Sequence, residues 1–98
     1  MARITRPLAL MRSIMEAVLR DHYGAGGEDL SERIRSARNR LPHGANEAAL
    51  HRLRRLANAV LHLDREKDED LPSMNDKQLE KEIVSLLFVL RALIEGAK

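Results

Sequence analysis

The sequence predicts an all-helical domain, four helices in an up-and-down antiparallel bundle that pairs with a second copy of itself, and three observations carry that expectation. Apolar residues recur at three- and four-residue steps, and no strand-like alternation is sustained. The aromatic share is 2%, Tyr23 and Phe88, so the core must be Leu, Ile, Val, Met and Ala, which suits helices better than sheets. The last helical segment is apolar nearly all round, more than a 98-residue monomer has neighbours to cover, so a homodimer is the economical solution.

One domain is expected across residues 1–98, because a second core would be too small to stand alone. The first helix, about 7–23, carries Leu8, Met11, Ile14, Met15, Val18 and Leu19 on one face, with Pro7 in its first turn and Gly24, Gly26 and Gly27 as its stop. The second, about 29–41, opens on a capping pair, Asp29 with Glu32, and has one narrow apolar stripe of Leu30, Ile34, Ala37 and Leu41. Its other faces are largely arginine. Pro42, His43 and Gly44 break the chain, and Asn46 caps a third helix, about 46–62. Asp64 to Pro72 reads as a solvated, charged connection. A fourth helix, about 75–95, starts on a second capping pair, Asn75 with Gln78. Its Leu79, Ile83, Leu86, Leu87, Leu90, Leu93 and Ile94 are expected to point inward, and Val84, Phe88 and Val89 widen that face. Val84, Phe88, Leu90 and Ile94 are the candidates for the contact between copies.

With 44% hydrophobic and 33% charged residues the chain should fold rather than stay disordered. No cysteine is present, which excludes disulfides. Arg12 and Glu16 interrupt the opening stretch before a signal core or a membrane span could form, so no membrane association and a cytoplasmic location are expected. His22, His43, His51 and His62 fall at unrelated spacings, and the acidic run Asp64, Glu66, Asp68, Asp70 lacks the turn glycine and closing glutamate of a calcium loop. No metal and no cofactor are expected. The net charge is +2 but uneven: residues 1–55 hold 11 arginines against six carboxylates, and the remainder is net acidic. That split gives either a basic face for phosphates or a dipolar chain whose halves attract.

The third helix holds the most informative pattern. At roughly 100° per residue, Leu50, Leu53, Leu56, Ala57, Val60 and Leu61 fall on a core side, and His51, Arg54, Arg55, Asn58 and His62 on the opposite margin, close enough to converge on one ligand or partner. Asn58 is a weak helix former in mid-helix, which a side-chain bond to a neighbouring element would justify. Arg12 and Glu16, four apart, form an intrahelical pair, or else Glu16 anchors an arginine of the third helix.

On these residues the chain resembles the HEPN superfamily (higher eukaryotes and prokaryotes nucleotide-binding), especially the domain family of unknown function appended to restriction-enzyme subunits. Met11, Arg12 and Glu16 approximate the family's first-helix pattern, and Leu53, Arg54, Ala57, Asn58 and His62 its later one, with Ala57 where the family usually has glycine. Arg55 and His62, six residues between them, meet the superfamily's arginine–histidine signature, with Leu56 where catalytic members usually carry a polar residue. The resemblance implies paired bundles with the motif from both copies in one cleft. It implies either a binding or accessory module, with RNA or a protein of a defence or toxin system as partner, or a metal-independent ribonuclease. In the latter, His62 moves protons during attack of an RNA 2′-hydroxyl and Arg55 stabilises charge on the phosphate. The residues leave a third possibility open, a protein-binding adaptor or small phage or plasmid regulator.

Overall fold

The computed structural model describes residues 2–61 and 75–97, with side chains over 6–60 and 75–97. Four helices stand among the described residues: α1 (Ala2–His22), α2 (Leu30–Ala37), α3 (Glu47–Leu61) and α4 (Asp76–Gly96). His62 and the segment from Asp64 to Pro72 lie outside the described residues.

Local chemistry starts and stops these helices. Asp29 accepts from Glu32 N–H at 2.8 Å to open α2, while the Glu32 carboxylate reaches past the cap to Glu28 N–H at 2.9 Å. Asn46 accepts from Ala49 N–H at 2.9 Å at the start of α3. Asn75 and Gln78 close a full capping box on α4, at 2.9 and 3.0 Å. Gly24 ends α1 in the left-handed region at φ 61°, where a side chain would be strained.

Two boundaries differ from expectation. α1 begins at Ala2, so Pro7 lies in the second turn rather than the first; it forfeits one backbone bond there while its fixed φ remains helical. α2 ends at Ala37 and the chain tightens into turns, with Arg38 N–H on Arg35 O at 3.3 Å and Arg40 N–H on Ala37 O at 2.8 Å. Pro42 disfavours helical geometry at Leu41, and the Arg40 guanidinium turns back to the carbonyl of Tyr23.

α1 and α3 are the central pair. Each touches every other helix, whereas α2 and α4 share no contact. Leu8, Met15 and Leu19 of α1, Ile34 of α2, Leu50 and Leu53 of α3, and Leu86 and Leu93 of α4 are fully buried between them. The α4 face is narrower than expected. Leu79, Ile83, Leu86, Leu90 and Leu93 are buried, while Leu87 and Ile94 point outward with Val84 and Phe88. Leu90 is therefore a residue of the monomer's own core, not of a free surface. It lies two residues from Phe88, which on a helix is more than half a turn away.

The α1–α2 link is held by arginines of α2 and the turn after it. Arg33 donates to Ala25 O at 2.7 Å and Gly27 O at 3.3 Å, and Arg40 donates to Tyr23 O. Tyr23 is buried and donates its hydroxyl to Leu93 O at 2.8 Å, which ties the end of α1 to α4. Gly96 completes that corner: a Cβ there would meet Pro42 Cγ at 2.7 Å and the Tyr23 hydroxyl at 2.8 Å. Glycine to alanine in a helix ordinarily stabilises by roughly 0.5–1 kcal/mol. At this site overpacking reverses the sign, and Gly96→Ala should lower stability by about 1–2 kcal/mol, read as a lower urea midpoint with unchanged slope.

Candidate functional site

Among the described residues, Asn58 and Arg54 on the polar side of α3 make separate contacts. Asn58 faces α1, where its Oδ1 accepts from Arg12 Nε at 3.3 Å, and the Arg12 Nη1 donates to Glu16 at 3.3 Å. Glu16, Arg12 and Asn58 thus form one part-buried chain between the two central helices. Of the two expectations for Glu16, the intrahelical pair with Arg12 is the one present. Asn58 has the side-chain bond that its mid-helix position calls for.

Arg54 is the second arrangement, and it is not on the open margin. Leu50 precedes it by four residues and Ala57 follows it by three, both fully buried, so the helical repeat draws Arg54 into the seam beside the core. It is 8% exposed, the one charged side chain buried among the described residues. Its Nε donates to His51 Nδ1 at 3.1 Å. Because that ring nitrogen accepts, the neutral imidazole carries its proton on Nε2.

Arg55 is exposed on the surface of α3, and Arg52 pairs with Glu82 across to α4. His62 lies outside the described residues, so the pairing of Arg55 with His62 rests on their spacing along the helical repeat.

Burial pushes the His51 imidazole below its ordinary value of 6.5, the positive charge of Arg54 adds to this, and Glu47 opposes it; Arg55 and Arg35 act in the same sense as Arg54. Arg35, on α2, is a neighbour that sequence periodicity did not associate with this site. The signal available was the run of arginines on α2 and the turn after it, but it did not distinguish Arg33 and Arg40, engaged with backbone carbonyls, from Arg35.

A histidine depressed in the folded state binds its proton more readily when unfolded. Its contribution to stability is present above 6.5 and falls as pH drops below that value towards the folded one. Between about pH 7.5 and 5.5 the wild-type urea midpoint should therefore decline, and His51→Gln should decline less. An equal decline in both proteins would remove His51 as the cause.

The fold and these arrangements define an all-helical domain with a part-buried polar link between its central helices and a basic edge where α2 meets α3. Comparison with family models, with curated proteins and with solved structures returned no match. Among the described residues no helix is long and apolar enough to cross a membrane.

Proposed function

We propose that this chain is a HEPN-like association module, an up-and-down antiparallel bundle that works as a pair of copies in the cytoplasm and binds RNA or a protein of a defence or toxin system. The observation that carries the reading is the outer face of α4. Val84, Leu87, Phe88 and Ile94 are 53, 47, 64 and 39% exposed. Val84, Leu87 and Phe88 are neighbours at three- and four-residue steps, and Ile94 lies two turns beyond Leu87. Large apolar side chains gathered on one helix face mark a contact surface. The Arg91–Glu95 pair, 2.9 Å, gives its far end a charged rim. The link among Arg12, Glu16 and Asn58, positions of the resembled motifs, supports the family reading. Sedimentation at micromolar concentration tests the pairing: a dimer is expected, and a monomer throughout would defeat it.

A second reading, a metal-independent ribonuclease using Arg55 and His62, is favoured by the exposure of Arg55 three residues before Asn58. It requires RNA cleavage in the presence of chelator that leaves cyclic phosphate ends and is lost in His62→Ala with folding unchanged. Intact RNA after that incubation leaves the association module.

A further inference from the structure

We infer that the edge between α2 and α3, built from Arg54, His51 and Arg35, binds a phosphate group. The inference goes beyond the pairing of copies and stands whether or not α4 forms a dimer. Arg54 is more than nine-tenths buried, yet its sole hydrogen-bond partner among the described residues is a neutral imidazole nitrogen. A buried guanidinium normally has a carboxylate beside it, because desolvating an unpaired charge is expensive. The Nη groups of Arg54 have no acceptor there. They are not sealed in either, since Arg33 Nε is the one sealed side-chain nitrogen or oxygen without a partner among the described residues. The guanidinium is thus held by its Nε, and its remaining donors keep a narrow contact with solvent.

His51 presents the matching donor. Nδ1 is occupied by Arg54, so Nε2–H is the group left to offer, on a half-buried ring. Arg35 is exposed on α2, the helix that packs on this side of α3, its charge acts on His51 in the same sense as that of Arg54, and its side chain has no ion-pair partner among the described residues. Arg35 also lines, with Glu32, Ser36, Arg38 and Asn39, a shallow open depression on α2 and the turn after it. Glu47 is the carboxylate that acts on His51 itself, and it favours the protonated ring. The donors are a planar fork, a ring N–H and an exposed cation, a set that suits a tetrahedral oxyanion better than a carboxylate pair or a metal ion.

Inorganic phosphate, titrated at constant ionic strength against a chloride control, tests the site through the His51 ring resonances. A saturable shift of His51 is expected, together with a rise in its pKa, because a bound anion stabilises the imidazolium. Arg35→Gln, at an exposed position, should keep the fold and weaken phosphate by roughly tenfold, the effect of removing one charge-assisted hydrogen bond. Arg54→Gln should abolish the shift; if that buried variant fails to fold, Arg35→Gln decides. Competition identifies the source: displacement by adenosine monophosphate assigns a free nucleotide phosphate, and displacement only by a short single-stranded RNA assigns a backbone phosphate. No saturable response of His51, or an equal response in wild type and Arg35→Gln, overturns the site.

Discussion

Replacing Leu53 with alanine is expected to lower the free energy of unfolding by about 3 kcal/mol, within the roughly 2–5 kcal/mol range for removing a buried leucine. Leu53 is fully buried on α3, a helix that touches each of the other three, so no single neighbour can move in to fill the space. In a domain of this size such a loss is a large share of the total. Urea denaturation followed by circular dichroism measures it, with the slope unchanged. Because pairing of copies would make the midpoint depend on concentration, the comparison is best made in a monomeric background. A loss below about 1 kcal/mol would mean that Leu53 is not sealed as described.

Phe88→Glu supplies that background and is the second large effect. Phe88 is 64% exposed and contributes little to the monomer's own packing, so the folded monomer should retain its helical signal and its midpoint. In the proposed pairing of copies the same change would place a carboxylate in the apolar contact. The expected outcome is at least about a hundredfold weaker association, as for loss of a central aromatic anchor, read by sedimentation across a concentration series. Leu90→Glu should behave differently. Leu90 is 5% exposed and belongs to the core, so that variant should unfold rather than dissociate.

The contrast between these two α4 residues shows what the sequence made legible. Helix number follows from Gly24, Pro42 and the capping residues, each a local signal that needs no knowledge of the fold. An apolar sequence from Ile83 to Ile94 states that part of α4 lies outside the monomer's core, but not which part. That depends on how many neighbours α4 has, and among the described helices it packs on α1 and α3 alone. The end of α2 was similarly hidden, since Arg40 bonds to a carbonyl 17 residues away. In the candidate site, Asn58 announced a tertiary bond by being in mid-helix, and its donor, Arg12, was already singled out on other grounds. Arg54 was placed with the polar margin because residue type outweighed its position, although Leu50 and Ala57 on either side already marked the seam. Arg35 was not legible at all as a neighbour of His51, because it belongs to another helix and only the packing of α2 on α3 brings it there.

The arginine clasp on the α1–α2 link has a further consequence. Glycine-rich connections often serve as hinges through which a terminal segment swings out and is exchanged between identical chains. Here the carbonyls of Tyr23, Ala25 and Gly27 are held by guanidinium groups from the helix and turn on the far side of the link, which fix its bend. Straightening the hinge would strip those bonds before any intermolecular replacement formed. Two copies that meet should therefore dock as finished units, each keeping its own α1, and separate again without unfolding.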